Sequence, residues 1–291
     1  MRMTPRIKRN LFVFAALVLL IAAVPFISYL RWVEASMALT GQLQGQVGAL
    51  DRRFTARDLD GLPAPVARYF KHVLLEGQPL VRAAVLRQEA QFRTGAGDDT
   101  WRPLRARQYF SVDPLGFVWD ARIAMAPLVP VFVRDGYLHG TGFMQAKLFG
   151  VYSLVEDDGK RELNEGALQR YLAEAVWFPT ALLPSDRLSW RELDDRTAIA
   201  SLTDSAITVS LQFTFSESGE IKEIFTPARP REVEGAYIST PWLVRCGAYE
   251  EHERMRIPVQ CEVEWQLPHG PLPYWRGRIV DARYLFGESS S

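Results

Sequence analysis

Two cysteines and four histidines are the residues of this 291-residue chain best suited to metal or thiol chemistry. Cys246 and Cys261 are the more informative, because a tight hairpin would set them opposite each other. A turn centred between Glu253 and Arg254 pairs Trp242 with Trp265, Val244 with Val263 and Cys246 with Cys261 on one face. On the other face it opposes Arg245 and Glu262, a favourable cross-strand charge pair. A one-residue slip would turn the apolar face toward the polar one, so this register is strongly specified. In an exported domain the pair is expected to form a disulfide. The alternative is two buried thiols acting as small apolar groups.

The other reactive side chains do not assemble. His72, His139, His252 and His269 are isolated, with no helical i, i+4 pair and no cysteine or acid at zinc-ligand spacing. Asp157-Asp158 and Asp194-Asp195 read as turn acids. There is no Gly-x-Ser-x-Gly elbow, no P-loop and no Gly-x-Gly-x-x-Gly after a strand. No catalytic residue, metal or cofactor is therefore assigned, although catalytic groups can converge from distant positions. Arg82, Arg87, Arg93, Arg102, Arg105 and Arg107 crowd one region. They fit a solvated outer face paired with acids, or a rim receiving anionic headgroups. Acids and bases balance at 34 each with no basic face or tail, which argues against nucleic-acid binding.

Bulky apolar residues carry more information. The chain has 8 Trp and 16 Phe, enough to line a large core or cavity. Trp177-Phe178-Pro179-Thr180-Ala181-Leu182-Leu183-Pro184 must be buried somewhere, as a plug closing a sheet or as a lid over an apolar cavity. Trp119, Trp177, Phe178, Trp242 and Trp265 are the candidate ligand-lining residues.

The elements that would position them begin with an apolar run. Residues 11–30, LFVFAALVLLIAAVPFISYL, carry no charge. At about 1.5 Å per residue such a helix spans the roughly 30 Å hydrocarbon layer. Arg2, Arg6, Lys8 and Arg9 precede it with no acid among them, which keeps the N-terminus cytoplasmic and exports the rest. Tyr29 and Trp32 fall where an interfacial aromatic belt would sit. A cleaved signal peptide is the competing reading, but its apolar region is normally shorter. The expected organisation is a cytoplasmic flank (1–10), a transmembrane helix (11–30), a membrane-proximal linker (31–60) and an extracytoplasmic domain (61–291).

Within that domain a helix is expected over Pro63–Leu74, with Val66, Tyr69, Phe70, Val73 and Leu74 on one stripe and Asp60 as its cap. A second is expected over Glu165–Trp177, capped by Asn164. The remainder alternates as strands between turn signals. Phe117, Trp119, Ala121 and Ile123 share one face, and Ile207–Phe215 alternates throughout. About ten or eleven antiparallel strands without a βαβ rhythm predict an α+β, mostly β fold. It would be one large curved antiparallel sheet, a half-barrel with two helices on its concave face.

The WFPTALLP run, with Leu62–Phe70 (LPAPVARYF), Gly116–Ile123 (GFVWDARI) and Arg256-Ile257-Pro258, resembles an uncharacterised bacterial family of unknown function. A glycine is usual in the turn before Arg256, where this chain has Arg254-Met255. In outline the domain also resembles the bacterial lipoprotein carriers, whose half-barrel shelters acyl chains. The expectation is a membrane-anchored binding module holding a lipid or other amphiphile. An envelope structural protein with a filled core comes second, and a hydrolase of envelope components third.

Overall fold

The alternating strands pair as one antiparallel sheet, seen in a computed structural model that describes residues 5–44, 52–94 and 99–287. Its first half comprises β1 (Val81–Phe92), β2 (Arg102–Ser111), β3 (Gly116–Ala126), β4 (Val129–Leu138), β5 (Thr141–Leu148) and β6 (Tyr152–Asp158). The second comprises β7 (Leu188–Asp194), β8 (Thr197–Asp204), β9 (Ile207–Phe215), β10 (Ile221–Val233), β11 (Ala236–His252), β12 (Met255–Leu267) and β13 (Gly270–Phe286). Each half is a meander, and the two join where β1 pairs with β13.

Among the described residues three α-helices join the sheet, α1 (Pro5–Gln44), α2 (Ala64–Val73) and α3 (Arg161–Glu174), with short 3-10 turns between elements. The α3 helix connects the two outer edges, β6 and β7. It packs against β4 and β5 of one half and β8, β9 and β10 of the other, so the sheet curls round it as a half-barrel. Close approach depends on Gly142, where an added Cβ would lie 2.8 Å from the Leu163 carbonyl oxygen of α3. Phe117, Trp119, Ala121 and Ile123 all face this interior, as their alternation predicts.

The β11–β12 hairpin has the expected register, with Trp242 opposite Trp265 and Cys246 opposite Cys261. Glu253 and Arg254 occupy the turn at φ 47° and 64°, the left-handed pair that a two-residue hairpin needs even without glycine. The expected disulfide is absent. Both thiols are free and buried, with Sγ atoms 3.7 Å apart, whereas a bond needs about 2.05 Å. The hydrogen bond to Cys246, together with burial, pushes the Cys261 thiol well above its ordinary pKa. The thiol therefore stays protonated, and only the thiolate is reactive.

Other details differ from expectation. The sheet has 13 strands. The stretch 141–155 breaks at Phe149-Gly150, both at positive φ, and becomes β5 and β6. The edge strand β7 is largely exposed and so lacks a periodic apolar signal. Pro63, not Asp60, stands at the N-terminus of α2. The α3 helix starts at Arg161, so Asn164 lies inside it, where Oδ1 accepts the Gly142 backbone N–H at 2.7 Å.

Part of the stretch expected as a linker is helical and docked. Trp32, Ser36, Leu39 and Leu43 fall at i, i+4, i+7 and i+11 of α1, one stripe against the outer face of β2, β3 and β4. Trp32, expected as an interfacial aromatic, is buried there. Among the described residues no helix is long and apolar enough to cross a membrane. The side chains of residues 11 and 15–22, in the middle of the apolar run, lie outside the described set. Phe12, Val13, Phe14, Phe26 and Ile27 from the same run are exposed.

Candidate functional site

Between α3 and the concave face lies an apolar cavity of about 490 Å³, within the roughly 300–1,000 Å³ of small-molecule sites. The inner faces of β3 and β4 supply Ile123, Met125, Val131 and Val133, β5 adds Met144 and Ala146, and the opposite wall carries Val244, Val263 and Trp275. Exposed Leu154 and Val155 of the edge strand mark its mouth. A second space of about 390 Å³ adjoins it, sharing Arg170, Arg229, Asp135 and Tyr274. A larger depression, about 700 Å³, lies on the outer face beside Glu89, Arg245 and Arg276. It is an open saddle whose lining includes the ion pair Arg245–Glu262 at 3.9 Å, and it lacks an enclosed apolar wall.

Four of the five expected lining residues stand round the cavity: Trp119, Trp177, Trp242 and Trp265. Phe178 does not. It is fully buried among Phe110, at 4.6 Å between ring centroids, and Tyr171, at 5.7 Å. Leu182 and Leu183 are buried with it, so most of the WFPTALLP segment is a plug. Trp177 sits at the boundary, its indole donating to the Pro258 carbonyl at 3.0 Å.

Where the two spaces meet runs a chain of polar side chains that spacing did not reveal. Trp119 Nε1 donates to Gln88 Oε1 at 2.9 Å, Gln88 Nε2 to Gln108 Oε1 at 2.8 Å, and Gln108 Nε2 to Glu174 Oε2 at 2.7 Å. Arg170 closes the chain, donating to Glu174 at 2.8 Å and to Asp135 Oδ2. Its guanidinium lies 4.9 Å from the Trp119 ring centroid. Burial opposes the charge on Arg170, but Asp135 and Glu174 outweigh it and raise its pKa. Burial pushes the Asp135 and Glu174 carboxyls up, against the pull of Arg170.

Arg229 enters the same space from β10 and lies 4.4 Å over the Trp242 ring. Burial, and then the neighbouring Arg170 charge, depress its pKa despite Tyr274, Glu174 and Asp135. Pro227 and Pro230 flank it two residues before and one after. Proline within a strand pattern signals an edge or a bulge, and that is the trace in sequence that could have singled Arg229 out. Among the described residues no three His, Cys, Asp or Glu side chains are grouped to hold a metal. The arginine-rich region of β1 and β2 includes outer-face pairs such as Arg87–Asp281 at 3.2 Å and Arg105–Glu89 at 3.4 Å.

Fold and cavity together define a curled antiparallel half-barrel with a sheltered apolar interior. The chain belongs to the family of unknown function DUF6544, which it matches over residues 52–277. Among solved structures it is similar to a LolA superfamily protein from Nitrosomonas europaea, at 11% identity and a TM-score of 0.36, covering 79% of this chain and 93% of that one. It is also similar to a β-barrel-like protein of domain of unknown function DUF1849 from Brucella abortus, at 12% identity and a TM-score of 0.27, covering 71% and 99%. No curated protein matches the chain.

Proposed function

We propose that this protein is a membrane-anchored, extracytoplasmic binding module whose half-barrel shelters a lipid or other amphiphile. The observation that carries this reading is the cavity of about 490 Å³ walled by Trp119, Trp177, Trp242 and Trp265. Apolar space of that size beside an exposed apolar edge suits a tail, and the arginines at its inner boundary suit a polar head. The tether reading rests on the uncharged run 11–30 behind four basic residues. It gains support from Leu128, 93% exposed at the β3–β4 turn, and from Val151 and Tyr152, exposed at the β5–β6 turn. Ser28 of α1 lies beside that second turn, next to Gly150. These exposed apolar hairpin ends beside α1 support the tether reading.

A second reading, a structural envelope protein with a filled core, is favoured by the burial of Phe178, Leu182 and Leu183. The two are separated by uptake of N-phenyl-1-naphthylamine into the full chain held in amphipol, read by energy transfer from tryptophan. Saturable uptake with about one probe per chain is expected. No uptake by folded protein leaves the structural reading. A reporter active only outside the cytoplasm, fused after Ser291, should be active. Signal from a cytoplasm-only reporter would overturn the orientation.

A further inference from the structure

The path of β10 explains why an arginine points inward. Ile224 and Thr226 face the core at alternate positions, and strict alternation would continue with Ala228. The pairing slips here: Thr226 opposes Trp242, but Arg229 opposes Thr240, so β10 carries one extra residue. A bulge of this kind reverses the parity of the residues beyond it and re-aims them. Pro227 lies in it and needs no ladder hydrogen bond. Gln169 of α3 donates to the Ala228 carbonyl at 3.3 Å and holds the bulge from inside. The result turns Arg229 from the outer face to the boundary of the cavity.

Once there, its hydrogen-bonding capacity is not met. Asp135 and Glu174 are both bonded to Arg170 and reach Arg229 only through space; among the described residues Arg229 forms no direct ion pair, and its buried Nη1 has no hydrogen-bond partner. Beside it, Tyr274 accepts the Trp242 indole N–H at 2.9 Å, and no acceptor receives its own hydroxyl proton. A buried donor without an acceptor is costly. Two donors therefore converge on this space, and among the described residues no acceptor receives them.

Resting on the binding reading above, we propose that the ligand is an amphiphile with a monoanionic head, held by Arg229 and Tyr274 with its tail among the tryptophans. Asp135 limits the charge. Its Oδ1 is buried and unpartnered in the same space, so a dianionic head would meet about twice the repulsion that a carboxylate or phosphodiester meets. A charge-assisted bond in a dry site should separate anionic from neutral heads by about tenfold or more in affinity.

The test is displacement of N-phenyl-1-naphthylamine from the full chain in amphipol by four twelve-carbon ligands. These are dodecanoate, dodecyl methyl phosphate, dodecanol and dodecyltrimethylammonium. Dodecanoate or the phosphodiester, or both, should displace the probe at about one tenth the concentration of dodecanol, and whichever is stronger identifies the head. Arg229→Gln should bring the anions level with dodecanol. Arg229→Lys should keep part of the preference, and Tyr274→Phe should weaken it. Equal displacement by all four in the parent overturns the anion inference and leaves the amphiphile reading standing. A preference that survives in Arg229→Gln also overturns it. Absence of probe uptake removes the binding reading itself. Should Arg229→Gln fail to fold, the parent's head-group series together with Arg229→Lys and Tyr274→Phe decides the matter.

Discussion

Two arginines, Arg134 and Arg229, lie over tryptophan rings on opposite faces of the same sheet, and their surroundings differ in one respect. Arg134, on the outer face, is 3% exposed and lies 4.0 Å from the Trp32 ring centroid of α1. It donates to Ser36 Oγ at 2.9 Å, to the Trp32 carbonyl at 2.6 Å and to Gln145 Oε1 at 3.1 Å. Asp120 completes the knot, accepting from the Trp32 indole at 3.1 Å and from the Ser36 hydroxyl. Burial pushes the Asp120 carboxyl up and depresses Arg134, yet each charge is answered by the other. Arg229, on the inner face, lies over a ring and feels Asp135 and Glu174 only through space, and among the described residues it donates to no acceptor. A buried charge with all its partners inside the chain is structural, and one lacking them points to a partner from outside.

The largest effect expected from this contrast is at Arg134. Arg134→Met leaves Asp120 buried without its cation and should destabilise the protein by roughly 3–5 kcal/mol, freeing the C-terminal half of α1 from the sheet. Denaturation of the full chain, with Trp32 fluorescence as a local probe, would report it. A loss below about 1 kcal/mol would mean that the knot is not what holds α1.

The second contrast is within the aromatic segment. Phe178→Ala empties a packed site and should cost roughly 3–4 kcal/mol without altering probe affinity in the folded fraction. Trp265→Ala, at a half-exposed residue of the cavity wall, should cost about 1 kcal/mol while weakening probe uptake about tenfold. If both changes act alike, the boundary drawn between plug and cavity is wrong.

How much of this was legible beforehand follows from which signals are local. The β11–β12 register could be read because period-two alternation and a charge pair fix it within one hairpin, and Arg245 does lie 3.9 Å from Glu262. The interior face of β3 could be read for the same reason. The docking stripe of α1 was available in the spacing of Trp32, Ser36, Leu39 and Leu43. It was obscured by the uncharged run before it and by Gly41 within it, which favour the reading of anchor followed by linker. The polar chain from Trp119 to Asp135 was not legible. It joins β1, β2, β3, β4 and α3, and such convergence leaves no spacing in sequence. Arg229 was hidden further, since only a bulge brings it inward.

Titration of the interior offers a subtler contrast. Because the folded pKa of Glu174 is raised, its contribution to stability is present below the unfolded carboxyl value, about 4.3, and is lost as pH rises through the folded value. Glu174→Gln removes this dependence, so the variant should gain on the parent as pH rises above about 4. Melting temperatures taken across pH for both proteins would check it, and a constant or shrinking difference would contradict the buried, charge-strained state of this carboxyl. The smallest effect belongs to Arg229. In the unliganded protein Arg229→Gln should change stability by less than about 1 kcal/mol, because the ring contact and the through-space attraction to Asp135 and Glu174 that are lost are offset by relief of the charge's desolvation and of its repulsion from Arg170.

The central claim is that the interior is a binding site and not a packing defect. Native mass spectrometry of the full chain, extracted from its own membranes and released from amphipol, tests it most directly. A single bound amphiphile of discrete mass, displaced by N-phenyl-1-naphthylamine, is the result the cavity and its tryptophans predict. Bare chain in every preparation, together with no uptake of the probe by folded protein, would contradict it.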